Sequence, residues 1–149
     1  MLRKEYAGYF HSDLIFNGRT EALHAWRVTT GCRDVAQVTS RKLGGEVRGS
    51  KDLPEGRWEV LTKSPAVEIL VREVTGDGIA FTLPGETAIG EFFFRSEMWN
   101  PEDIAKVSAD GDLRYRPCQL KLEPVEFKTR TGLTILYVLP SIQLTASGV

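Results

Sequence analysis

The residues with the chemistry to act as nucleophile, base or ligand are few and scattered. Cys32 and Cys118 are far apart and belong to no CxxC pair, and His11 and His24 fall outside any zinc-ligand spacing. A thiol at Cys32, near the start of an expected helix, sits where a thiolate is favoured. It also falls on that helix's apolar stripe, which predicts a buried structural cysteine. Asp110 and Asp112, or Glu102 and Asp103, could hold a cation, but Gly111 between the first pair reads more economically as a loop. The chain carries no calcium-loop pattern, no GxxxxGK[ST] and no GxGxxG, and Gly44-Gly45 follows a helix where a phosphate loop would precede one. With nucleophile, base and oxyanion donors unassembled, we expect no enzyme and no cofactor, metal or small-molecule substrate.

Binding features are stronger. Arg41, Lys42, Arg48 and Lys51 flank the double glycine, and Arg33 joins Arg41 on the polar stripe of the same helix. Cations gathered on one surface supply phosphate contacts, while a solvated loop of mixed charge is the plainer alternative. Aromatic residues alternate with arginines at Trp26-Arg27, Arg57-Trp58, Phe94-Arg95 and Arg114-Tyr115-Arg116, the pattern of base-stacking platforms. On a strand, however, neighbours point to opposite faces, which favours an aromatic in the core and an arginine in solvent. Trp99, at the corner Glu97-Met98-Trp99-Asn100, is the aromatic that alternation explains least, and it is a candidate partner anchor.

These residues hang on a framework readable from periodicity. Residues 32–43 place Cys32, Val35, Ala36, Thr39 and Leu43 on one helical stripe, with Thr30 as candidate N-cap and Gly44-Gly45 as the stop. Asn100-Pro101 starts a second, short helix over about 101–106. Alternation predicts strands at 23–30, 57–63, 90–95 and 113–122, with a hairpin pairing 66–74 and 79–83. Glu5–Phe10 reads as an edge strand. Val125–Lys128 and a last short strand at Ile142 and Leu144 flank Leu133–Leu139, which is apolar on both faces and so expected to be central. The sum is an α+β fold, a predominantly antiparallel, curled sheet or barrel-like body carrying one main helix and one short one.

The bounds agree. A chain of 149 residues, 42% hydrophobic and 26% charged, is most simply one domain, residues 1–149, able to bury a core without metal or disulfide. Net charge is −1, with 12 cations against 9 acids in residues 1–72 and 7 against 11 thereafter, which excludes a uniformly basic nucleic-acid coat. The first ten residues lack the apolar stretch of a secretory signal, and no run is long enough to span a bilayer. We therefore expect a cytoplasmic protein with no membrane contact.

Three blocks together go further. Trp26-Arg27-Val28-Thr29, then Leu43-Gly44-Gly45-Glu46-Val47-Arg48, then Trp58-Glu59-Val60-Leu61-Thr62, followed by Arg116-Pro117-Cys118-Gln119-Leu120-Lys121-Leu122-Glu123 and an apolar closing strand, resemble the recombination directionality factor-like proteins of actinobacteria and their phages. The order of blocks covers about three quarters of the chain, though the family's cysteine-bearing insert after the WEV strand is missing. The resemblance implies a non-catalytic phage or mobile-element protein in the host bacterial cell, which binds a serine integrase–DNA complex and biases recombination towards excision. Two other readings stay open: a single-stranded DNA-binding module, and a small inhibitor of a host defence complex.

Overall fold

A computed structural model of the chain describes residues 6–12, 15–16, 22–23, 25–49, 57–75, 78–95 and 116–144. The short helix expected over 101–106, Trp99, Lys51, His24 and the acidic pairs at 102–103 and 110–112 lie outside these residues.

The chain enters through strand β1 (Gly8–His11), a small hairpin of β2 (Ile15–Phe16) and β3 (Ala22–Leu23), and β4 (Arg27–Thr30). Helix α1 (Arg33–Leu43) follows, then β5 (Val47–Arg48), β6 (Trp58–Leu61), β7 (Ala66–Val74), β8 (Gly78–Thr82), a 3-10 turn at Thr87–Ile89, and β9 (Phe92–Arg95). Strands β10 (Pro117–Lys128) and β11 (Thr134–Leu144) close the order. Nine strands form one sheet in the order β11-β10-β7-β8-β9-β1-β4-β6-β5. All neighbours are antiparallel except β1 and β9, which run parallel with Gly8 beside Phe92. The fold is thus α+β as expected, but the sheet is mixed and open, and the barrel is not formed.

Chain connectivity nevertheless demands curvature. Strands β6 and β7 are joined by residues 62–65 alone, yet five strand-to-strand steps separate them in the sheet. A flat sheet would put them ~24 Å apart, whereas five Cα–Cα links reach at most ~18 Å. The sheet therefore curls until this corner bridges it, and the corner is fastened to both sides. Leu122 N donates to Pro65 O at 3.0 Å, the Trp26 indole N–H donates to the same oxygen at 2.9 Å, and Thr62 N donates to Trp26 O at 3.0 Å.

The inside of the curl is the core. Phe10, Val28, Val60, Val67, Ile69, Phe81, Phe92, Phe94 and Leu120 all pack into one buried cluster around the fully buried Trp26. The Trp26 ring meets Phe94 edge-on at 5.0 Å and Phe10 at 5.8 Å. Its backbone N–H donates to Thr62 Oγ1 at 3.1 Å. Helix α1 packs on β4, β5 and β6 through the buried Val35, Ala36 and Thr39.

Several expectations need correction. The segment expected as an edge strand, Glu5–Phe10, supplies β1, which is interior, between β9 and β4, because Phe10 packs on Trp26, Phe81 and Phe92. The N-cap of α1 is Cys32, not Thr30. Thr30 instead accepts from Cys32 N at 3.1 Å and donates to Ala7 O at 2.6 Å, tying helix entry to the start of β1. The segment expected to be central, Leu133–Leu139, belongs to the outermost strand β11. The segments expected to be separate, ending at Leu122 and starting at Val125, and ending at Leu139 and resuming at Ile142, run through Pro124 and Pro140 as the continuous β10 and β11.

The prolines fit because of hydrogen-bond phase. In an antiparallel pair, residues that exchange bonds alternate with residues whose N–H and C=O point away. Leu122 N points to Pro65, and Thr129 N donates to Leu133 O at 2.8 Å. In the uninterrupted register Leu122↔Pro140, Pro124↔Val138, Glu126↔Leu136, Lys128↔Thr134, the even-numbered positions therefore all face outward. A proline there costs no ladder bond.

Candidate interaction surfaces

Four of the candidate cations stand at the β5 end of the sheet. Arg33, Arg41, Lys42 and Arg48 are all exposed. Arg33 opens α1, Arg41 and Lys42 stand in its last turn, and Arg48 is on β5, beneath the helix. Eight residues of helix set Arg33 and Arg41 ~12 Å apart along the axis, so the helix cations make an elongated strip, whereas Arg48 shares with Glu59 the sheet face opposite to Val47, Val60 and the helix.

Each cation also has a local role. The Arg33 guanidinium lies 5.4 Å from the Trp58 ring centroid, a cation–π contact. Arg41 and Lys42 stand where the carbonyl end of the helix dipole favours positive charge. Lys42 extends towards the turn at Pro84-Gly85, its Nζ 3.9 Å from the place a Gly85 side chain would begin. Arg48 is in cross-strand register with Glu59, an opposite-charge neighbour.

Local structure around the double glycine holds this strip in place. Gly44 N donates to Ser40 O at 2.8 Å, the Ser40 hydroxyl donates to Gly45 O, and Lys63 N donates to Leu43 O at 3.1 Å. Gly45 has φ 90°, and a Cβ there would drive into the Leu61 carbonyl oxygen. The GG pair thus both ends α1 and lets the chain cross against β6.

Of the aromatic–arginine pairs, Trp26 and Phe94 are fully buried and belong to the core, while Arg27 is half-buried and Arg95 exposed. Trp58 is half-buried beneath Arg33. The burial expected of Cys32 is overturned. Cys32 is exposed, because as N-cap it precedes the first helical residue, Arg33, and the buried stripe begins only at Val35. Cys118 is buried, its thiol donating to Arg116 O at 3.3 Å, and desolvation raises its pKa above the ordinary value against a smaller opposing pull from Arg116. His11 is half-buried with Nε2 2.8 Å from Thr29 Oγ1. Among the described residues no three of His, Cys, Asp or Glu are grouped to hold a metal, and no helix is long and apolar enough to cross a membrane.

A second surface was not foreseen. Strand β7 pairs with β10 only at residues 117–121, so among the described residues the β10–β11 hairpin continues beyond them as a two-stranded arm. At the base, Cys118, Leu120, Leu122 and Pro140 are buried, whereas in the arm four large apolar side chains at odd positions are exposed. Leu133 is 67% exposed, Phe127 47%, Ile135 40% and Leu139 38%. The signal for this arm lay in the two-sided apolarity of 133–139, which marks a switch of face as well as it marks a central strand.

No family model, no curated protein and no solved structure matches the chain.

Proposed function

We propose that this chain is a non-catalytic recognition protein of a phage or mobile element, which binds a serine integrase on its DNA and biases the direction of recombination. The observation that carries the reading is the exposed cationic strip of α1, Arg33, Arg41 and Lys42, with Arg48 on the neighbouring edge strand, beside the blocks whose order resembles the directionality factors. Those blocks are neighbours in space: Val28 of β4 and Val47 of β5 both face Val60 of β6 in register. A cationic strip beside a protein-sized surface suits a partner that is itself bound to DNA, where phosphates are close at hand.

The work such a protein does is a population shift. Binding one arrangement of the integrase–DNA complex better than another moves the equilibrium by the difference in affinity, about 1.4 kcal/mol for each tenfold. This reading is tested by co-purification of the full chain with a cognate serine integrase, with and without attachment-site DNA. A complex that strengthens when DNA is present, and weakens with Arg41→Gln plus Lys42→Gln, is expected. Absence of a complex in every condition removes the reading, and affinity for bare single strands alone would replace it with a nucleic-acid-binding one.

A further inference from the structure

The two edges of the β10–β11 arm are treated differently by the sequence. On the β10 side the outward backbone positions are Pro124, Glu126 and Lys128: a missing donor and two exposed charges. These are the devices that stop a sheet edge from pairing with another chain. On the β11 side the outward positions are Thr134, Leu136 and Val138, each with its N–H and C=O directed away from β10, and residues 133–140 (LTILYVLP) carry no charge at all. Beside this edge stand the exposed Leu133, Ile135 and Leu139. One edge of the same ribbon is guarded and the other is not.

We propose that the β11 edge pairs with the β11 edge of a second copy of this chain, joining two sheets into one across a two-fold axis. The phase of the strand confines the axis to an outward residue, and Leu136, midway between Gly132 and Pro140, gives the longest ladder. Leu136 faces Leu136 of the second copy at the axis, and Thr134 and Val138 face each other on either side, each facing pair exchanging both its bonds. One step further, Pro140, which has no N–H, would stand opposite Gly132 in the turn, so the ladder ends where the proline removes the donor. In the same register Leu133 of each copy comes beside Leu139 of the other, so the exposed apolar rows cover one another. Self-pairing also explains the missing charges. An isologous contact repeats every edge charge on both sides of the axis, and like charges brought close together are destabilising. The inference is independent of which partner binds the cationic strip.

Sedimentation of the full chain across a dilution series tests it. The wild type is expected to reach a species of twice 16.6 kDa and no larger. Val138→Pro removes one outward N–H without touching the β10 ladder, and is expected to weaken association at least ~tenfold with the fold's circular dichroism unchanged. Leu133→Lys, on a side chain already exposed, tests the same edge without altering backbone and should weaken the dimer most at low salt. A wild type that stays monomeric at every concentration overturns the proposal. So does a dimer unaffected by either substitution, or growth into species larger than two.

Discussion

At one end of the nine-stranded sheet the last strand, β5, is two residues long and lies under a helix with cations on its outer side. At the other end the last strand, β11, is eleven residues long, uncharged from 133 to 140, and reaches beyond the strand that should flank its hairpin. Both ends expose backbone, but the first is short and covered, while the second is long and has no partner strand on its outer side among the described residues. Short edges need no further protection, whereas a long apolar one is either a hazard or an interface. The same molecule thus separates two kinds of recognition: charge carried on a rigid, packed corner, and backbone pairing carried on an arm held only at its base.

Two glycines with left-handed backbone, one at each end, measure that difference in rigidity. Gly45→Ala at the covered end meets both the positive-φ cost and a clash with the Leu61 carbonyl in a packed region. It is expected to destabilise by roughly 3 kcal/mol or more. Gly132→Ala at the arm tip has φ 85° but nothing within 4 Å of the new methyl, so only the conformational cost of ~1–2 kcal/mol applies. Urea unfolding of the two variants checks the order; equal losses would show that the tip is as packed as the corner.

The clasp between the two halves comes next. Trp26→Phe keeps an aromatic ring against Phe10 and Phe94 but loses the indole N–H bond to Pro65 O and part of the ring volume. A loss of about 2 kcal/mol is expected. Because this residue ties β4 to the corner that also holds β10, the loss should appear in both ends together. Hydrogen exchange that speeds up in β6 alone would count against the clasp.

How much of this the sequence disclosed depended on whether the signal was local. Helix α1 was legible to within a residue, because the stripe of Val35, Ala36 and Thr39 and the Gly44-Gly45 stop are both short-range patterns. The hairpin of β7 and β8 was legible for the same reason. The parallel contact of β1 with β9 joins residues about eighty positions apart, and no local pattern encodes such a pairing. The continuity of β10 through Pro124 and of β11 through Pro140 was not legible, because a proline breaks a strand only if its N–H was needed, and need depends on hydrogen-bond phase, which is a property of the pair. Of the candidate contact residues, the exposure of Arg33 and Arg41 followed from helix periodicity, and that of Lys42 and Arg48 from their place in the basic stretch around the double glycine, whereas the strand carrying Arg48 was not read. The apolar arm did not, since a strand apolar on both sides reads alike whether it is buried twice or changes face midway.

Smaller again is the cation on the covered end. Arg33→Ala removes the contact with Trp58, an exposed cation–π pair worth ~0.5–1 kcal/mol. Thermal melts should show a shift of that size, reduced by salt. No shift would mean that Arg33 is held out for a partner rather than for the fold.

The last contrast costs no stability, because each end carries its own thiol. Cys32 is exposed at the start of α1, and Cys118 is buried at the base of the arm. At mild alkaline pH an alkylating reagent should modify Cys32 in the native protein without any opening of the fold. Cys118 should react only through opening of β10, since burial both shields its sulfur and raises its pKa. The sign of the pH effect follows. A thiol whose folded pKa is raised contributes its full stability below the unfolded pKa, and that contribution is lost as pH climbs through the folded value. Stability should therefore decline on the alkaline side in the native protein but less so in Cys118→Ala. If the arm opens as a unit without the rest of the sheet, Cys118 labelling will outpace global unfolding. Labelling that waits for global unfolding would instead join the arm's base to the cooperative core and leave only residues past Leu122 free to move.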